Sequence, residues 1–463
     1  MAAIVRRDMP GLFWAIVVLV VLLPLPLGAV YQWSWGLMAS VVGVVLAIWS
    51  ARVGLGLQDA GLGMRSVLPA AILFGFVLIW IALQAQPFTP SAWHHPLWNM
   101  TADALGGGLS SAISINPSDT LAGLVRLLAY AGIFWISLQY SRRAARARQV
   151  MLAVVYSGFA YALYGLVVQL IGSDSILIFR KGVYVDDLTS TFIDGDSFAT
   201  YSGLALVCCT GLSLVLITQA LGAPPRAQAR PMQIIEVCVE RGWPLLLAWL
   251  VLLMVLILSH SRTGFLSTLL GLLSLVAAAG LSKAVDRRLA LAFGAVCVAG
   301  LFWTLGVNGD QPLARLLQTS LTVGERPLVY ERTLDAIRDS GALGTGFGTF
   351  EEAFRFYRTS EIAGNFDTAH NTYLENVLEL GIPAASALFC VFALFLLLCA
   401  VGIRQRRRDA VYPCVGLAAT ILVAVDAMVG SSLQIPAITA TYILIMGAAC
   451  AQCWSSRRPV DPW

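Results

Sequence analysis

The stretch AHNTYLENVLELGIPAAS, Ala369 to Ser386, sets a histidine, an asparagine and two glutamates at the mouth of a run that then stays apolar to Val401. A run of that length and hydropathy crosses a bilayer, whose hydrocarbon core is roughly 30 Å thick. Burying one charge in hydrocarbon costs on the order of 2.5–3.5 kcal/mol on insertion scales, so ionisable groups at such a mouth face a polar cavity. The histidine, His370, titrates near neutral pH and suits a general base; capping the helix is its structural alternative.

Similar runs recur along the 463 residues, of which 58% are hydrophobic and 12% charged, at a mean hydropathy of +0.78. That composition excludes a soluble domain. Spans are expected near 11–29, 31–50, 67–86, 120–139, 150–171, 197–222, 243–259, 264–281, 289–306, 371–401, 411–430 and 433–453. The expected fold is therefore all-α, a polytopic membrane protein of about twelve transmembrane helices with a large, partly helical outer loop.

Basic loops stay cytoplasmic. With the N-terminus inside, twenty of the thirty Lys and Arg residues fall on inner segments, among them SRRAARAR at 141–148 and RQRRR at 404–408, and both termini are cytoplasmic. The 87–119 segment, with no Lys or Arg, suits an outer loop. Residues 1–10 carry two arginines and no small-residue cleavage site follows, the pattern of an uncleaved start-transfer helix. The +4 net charge follows from this bias and does not argue for nucleic acid. The nine cysteines sit in or beside spans, which disfavours a disulfide framework, and Cys450-x-x-Cys453 reads as packing.

Three parts follow: residues 1–306 with nine spans and a smaller outer loop at 172–196; the 307–369 loop; and 370–463 with three spans and a short tail. Within the large loop, GERPLVYERTLDAIRDS and GTFEEAFRFYR read as two amphipathic helices, the second with a threonine cap. That loop holds nine acids and six arginines, so some arginines pair with neighbouring carboxylates on solvated faces. Arg262, in the short turn ILSHSRTGFLS, reads as a desolvated guanidinium that needs an anionic partner, either a ligand or an acid from another helix. Arg126, Glu375, Glu379 and Asp426 lie inside spans, all in the outer half, with His370, Arg262 and Gln434 capping the same leaflet. They point to one cavity open to the outside, although Glu375 and Glu379 also suit simple pairing with Arg126.

HNTYLENVLELGIPAA resembles the histidine-bearing motif of the O-antigen ligase and polymerase superfamily, integral-membrane glycosyltransferases that take glycans from undecaprenyl pyrophosphate. GERPLVYERTLDAIRDSGALGTGFGTFEEAF at 324–354, SHSRTG at 259–264, LTSTFIDGDSFATYSGL at 188–204 and INPSDTLAGLVRLLAYAGIFW at 115–135 are similar to other pieces of that family, so the resemblance spans roughly 115–385. Two departures stand out: the histidine motif's second glycine is Ala384, and Asp194-Gly195-Asp196 occupies positions where asparagines are common.

The resemblance implies the architecture of C-type glycosyltransferases and metal-independent, inverting transfer at the periplasmic face of a bacterial inner membrane. The donor is an undecaprenyl-pyrophosphate-linked glycan, the acceptor lipid A-core or a growing glycan, and no cofactor is required. His370 would be the catalytic base. Arg262, Arg180, Lys181 and Arg326 would meet the pyrophosphate, because guanidinium forks stabilise developing phosphate charge. Arg126, Glu375, Asn371 and Asp426 would support the polar cavity, with Glu375 a weak candidate to orient the imidazole. An O-antigen or exopolysaccharide polymerase is the close alternative to a ligase. A secondary transporter is disfavoured by the absence of an internal repeat. GALGTGFGTF lacks the Lys-Ser/Thr of a P-loop and reads as a turn; His94 and His95, flanked by Trp93 and Trp98, read as interfacial residues.

Overall fold

A computed structural model describes residues 9–107, 109–172, 175–177, 179–180, 188–221, 240–282, 294–295, 326–362, 364, 366–406 and 409–454. The chain is helical throughout apart from a two-stranded hairpin, β1 (Ser175–Ile176) and β2 (Phe179–Arg180), in which Ser175 pairs antiparallel with Arg180. The helices are α1 (Pro10–Leu22), α2 (Gln32–Gly54), α3 (Leu68–Gln84), α4 (Leu97–Leu105), α5 (Pro117–Tyr140), α6 (Ala144–Ile171), α7 (Gly195–Leu221), α8 (Trp243–Leu258), α9 (Arg262–Leu281), α10 (Arg326–Ser340), α11 (Phe350–Phe354), α12 (Thr372–Gln405), α13 (Val411–Asp426) and α14 (Pro436–Ala451).

Eleven of the twelve expected spans overlie a helix, and the twelfth, 289–306, lies outside the described residues apart from 294–295. Among the described residues seven helical segments have the length and hydropathy to cross a membrane, and α1, α8, α13 and α14 are shorter apolar helices. The chain is a multi-pass, all-α membrane protein.

Helix α7 is the axis of the bundle, packed by α6, α8, α9, α13 and α14. Its most apolar window is 83% buried against 22% for α2 and α3, so α7 is enclosed by protein while α2 and α3 sit at the lipid margin. Small residues permit such close crossings in lipid, where apolar burial alone gives no preference for protein over acyl chains. At Gly158, for example, an added Cβ would stand 2.5 Å from Ala205 Cβ of α7.

Helix α12 carries the reading of Ala369–Ser386 into structure. Asn371 caps its start, its Oδ1 accepting the N–H groups of Tyr373 and Leu374 at 3.1 Å each. Ten residues on, Gly381 departs from the helix at φ 75°, ψ 161°, a region open essentially to glycine alone. Pro383 removes a further donor. The carbonyls this break releases are taken up from outside the helix. Thr345 N–H donates to Leu378 O and Gly346 N–H to Glu379 O, each at 3.0 Å. Trp80 Nε1 donates to Leu380 O at 2.9 Å and Gln84 Nε2 to Glu379 O at 2.9 Å. The glycine-rich GALGTGFGTF segment is thus a turn, as expected, whose backbone splices into the break in α12 and ties it to α3.

The two expected loop helices are α10 and α11. Arg332 and Arg338 both pair with Asp335 at 3.0 Å, and Arg355 pairs with Glu351 at 2.5 Å, the solvated-face reading of those arginines. The threonine cap is not realised. Thr349 Oγ1 turns back to Gly346 O at 2.7 Å, and the buried carboxylate of Glu379 takes the start of α11 instead, accepting Phe350 N–H at 3.0 Å. A carboxylate from a neighbouring helix suits that end because it answers both the free N–H groups and the helix dipole.

Candidate functional site

His370 stands two residues before α12, on the side of the bundle that bears α10 and α11. Its backbone is left-handed at φ 49°, strain of the kind found at functional positions and sustained only where the surroundings impose it. Here three elements impose it. Tyr330 of α10 donates its hydroxyl to His370 O at 3.0 Å. Ala369 N–H donates to Glu375 Oε2 at 3.1 Å, while the Gln434 amide donates to Glu375 Oε1. Thr372 N–H reaches Ala427 O at 2.9 Å at the end of α13. Glu375 was a weak candidate to orient the imidazole; both of its oxygens are taken by Ala369 and Gln434, so it fixes the loop that carries the ring.

The His370 ring is half-buried, with Phe366 edge-on at a centroid distance of 6.2 Å. Burial lowers its pKa from the ordinary histidine value and the Arg326 guanidinium lowers it further, while Asp367 and Asp196 push the other way. The imidazole is therefore neutral and able to accept a proton at pH 7. Replacing Arg326 with glutamine removes a neighbouring cation, so His370 will hold its proton to higher pH and the acid limb of the kcat/KM profile will move up. Asp196→Asn will move that limb down. A pH–rate series on the two variants checks both signs.

Asp196, in the first turn of α7, joins the histidine loop to the arginine turn. Ser261 Oγ donates to Asp196 Oδ1 at 2.5 Å and accepts Gly264 N–H at 3.0 Å, capping α9. Arg262 is the next residue, the first of α9, and its side chain is exposed. It is thus not the desolvated group expected from so short a turn; α8 and α9 part enough to leave it in the open. Beside Asp196, Asp426 is 1% exposed; its Oδ1 lies 2.9 Å from Thr200 Oγ1 and its Oδ2 has no hydrogen-bond partner.

Next to this cluster a cavity of about 710 Å³ runs between α3, α5, α12 and α14. Asp119, Arg126, Glu352, Asp367, Glu375 and Glu379 line its polar part, and Phe74, Phe392 and Phe395 are among the residues of its apolar part. Arg126 stacks over Trp35 at 5.5 Å, and its charge bears on Glu379 and Asp119. Its partners are Trp35, Asp119 and Glu379 together; Glu375 is bound elsewhere. Among the described residues no cluster of His, Cys, Asp and Glu has the geometry to hold a metal ion.

The structure therefore gathers His370, Asn371, Glu375, Asp426, Arg326 and the Arg262 turn, with Arg126 in the adjoining cavity. Arg180 is placed by its backbone in β2, and Lys181 lies outside the described residues. The structure adds Tyr330, Asp196 as the tie to Ser261, and Asn116, whose Nδ2 donates to Asp119 Oδ2 at 2.7 Å and to Glu352 Oε1 at 3.3 Å. Asn116-Pro117 was legible as a helix start; its reach to Glu352, 236 residues away, was not. His94 is held by Thr89 Oγ1 at 3.1 Å and Ser111 Oγ at 2.6 Å and fastens the outer loop. Cys450 and Cys453 are buried, the packing expected of them.

Residues 245–389 match the family described as O-antigen ligase. The matched segment contains α8, the arginine turn, α9, α10, α11 and α12 through its break. No curated protein matches the chain.

Proposed function

We propose, from the chain's place in the O-antigen ligase superfamily, that this membrane glycosyltransferase moves a preassembled glycan from undecaprenyl pyrophosphate to a lipid A-core hydroxyl. The reaction belongs to the periplasmic face of the inner membrane, the side opposite the basic loops. His370 Nδ1 or Nε2 accepts the proton of the attacking hydroxyl. The freed oxygen forms a bond to the anomeric carbon from the face opposite the leaving group, with inversion. The bond from that carbon to the phosphate oxygen breaks, and its electron pair leaves with the diphosphate.

Guanidinium groups offset that charge in the manner of other preorganised electrostatic sites. Arg326 and Arg262 are assigned here, and Arg180 and Lys181 are the further candidates of the hairpin. Arg126, in its carboxylate-rich surroundings, serves the cavity in which acceptor hydroxyls are received. The observation that carries this reading is the single cluster in which Asp196 bears on the His370 ring while holding Ser261, the residue beside Arg262.

Arg262→Gln tests it. Loss of one charge-stabilising donor is expected to lower kcat for transfer by about 10²-fold, with binding of a soluble acceptor glycan unchanged, in vesicles supplied with a synthetic lipid-diphosphate glycan. Chelating divalent metal in the same assay is expected to leave the wild-type rate intact. In cells, loss of a ligase leaves long polymer on the lipid carrier and bare core, whereas loss of a polymerase leaves core bearing single repeats.

A further inference from the structure

A lipid-diphosphate donor has its reacting carbon, its phosphates and its lipid in one short line, so an apolar groove must end beside the site. Two grooves do. The 710 Å³ cavity has six carboxylates in its lining, Asp119, Glu351, Glu352, Asp367, Glu375 and Glu379, against Arg126 alone. A diphosphate entering there meets like charge in a poorly screened setting. The second groove, of about 540 Å³, lies between α1 and α6, and no acid lines it.

Trp14, Val18, Tyr156 and Ala160 are among its apolar walls, and Leu177 of the hairpin and Thr191 also line it. Leu177 lies between β1 and β2, and β2 ends in Arg180, which supplies positive charge where phosphate would rest. Thr191 is 1% exposed, and its Oγ1 has no hydrogen-bond partner although buried polar atoms ordinarily have one. Five residues later the same segment reaches Asp196 and the His370 cluster. Tyr156 and Ala160 are exposed, so a chain in the bilayer can enter sideways.

We infer that the groove between α1 and α6 is the binding site for the isoprenoid chain of the lipid-diphosphate donor, with Thr191 Oγ1 meeting an oxygen of its head group. This rests on the transfer reaction proposed above, but it is read without turnover. A prenyl diphosphate carrying a benzophenone in its chain is photolysed with the wild-type protein in phosphatidylethanolamine and phosphatidylglycerol vesicles, and adducts are mapped by mass spectrometry. Adducts on α1 and α6, at Trp14, Tyr156 or Tyr164, that are competed by unlabelled prenyl diphosphate are expected. Adducts on α3 and α12, at Phe74 or Phe392, or adducts that do not compete, would overturn the inference.

In the transfer assay Ala160→Trp, at an exposed position, is expected to raise KM about tenfold for a long-chain donor and to leave a short-chain donor unaffected. Gly75→Phe, in the other cavity where an added Cβ meets nothing within 4 Å, is expected to leave donor KM unchanged. The reverse pattern, or equal loss with both chain lengths in Ala160→Trp, would contradict the assignment. If competed crosslinks form on α1 and α6 in a protein that transfers no glycan, the groove stands and the reaction proposed above falls.

Discussion

His370→Ala is expected to slow glycan transfer by about 10²–10⁴-fold, the range by which a positioned general base accelerates proton transfer, with little change in donor KM. The substitution removes the acceptor atom for the proton but leaves Tyr330 bound to the residue 370 carbonyl and Asn371 on the helix start, because neither contact uses the imidazole. Alanine keeps the cost of the left-handed backbone that histidine already bears. His370→Asn is the companion variant, since asparagine visits φ values near +50° more readily, so a defect shared by both belongs to the missing base. Measured with a synthetic donor, the loss should appear in kcat.

The second large effect falls on stability. Gly381→Ala is expected to destabilise the protein by several kcal/mol, summing about 1–3 kcal/mol for an L-residue at φ 75°, ψ 161° and about 1–3 kcal/mol for overpacking against the backbone of Ala342. The damage should spread. With the 342–346 turn displaced, the carbonyls of Leu378 and Glu379 lose Thr345 and Gly346, and Glu379 can no longer hold the start of α11. Gly341→Ala is the control: φ is also positive, at 63°, but an added Cβ meets nothing within 4 Å, so only the conformational cost applies. Thermal unfolding in detergent should show a larger drop in Tm for position 381, accompanied by loss of transfer.

Much of this was legible because hydrocarbon is an exacting solvent. Apolar runs of sufficient length placed eleven helices within a few residues of their structural bounds, and ionisable groups inside those runs pointed to a shared polar region. The position of His370 followed from its place at the mouth of α12. What stayed hidden depends on contacts across hundreds of residues. Nothing local distinguishes Glu379 as the cap of α11 from the Thr349 that the capping pattern favoured. Gly381 and Pro383 announce a break in α12, but not that a turn from the preceding loop fills it. Arg262 was placed correctly at a turn, yet its exposure depends on how far α8 and α9 diverge. Asp194 and Asp196 were noted as a departure from the family pattern; that Asp196 would hold Ser261 required the packing of α7 against α9.

The central claim is that His370 and the Arg262 turn act on one substrate at one face of the membrane. Its most direct test is transfer in reconstituted vesicles from a chemically defined undecaprenyl-pyrophosphate glycan, comparing wild type, His370→Asn, Arg262→Gln and the double variant, with the product's anomeric configuration read by NMR. Inverted product from wild type, and a double variant much less impaired than the product of the two single losses, are predicted for groups that act in one step. Retained configuration, or wild-type rates in His370→Asn, would contradict it.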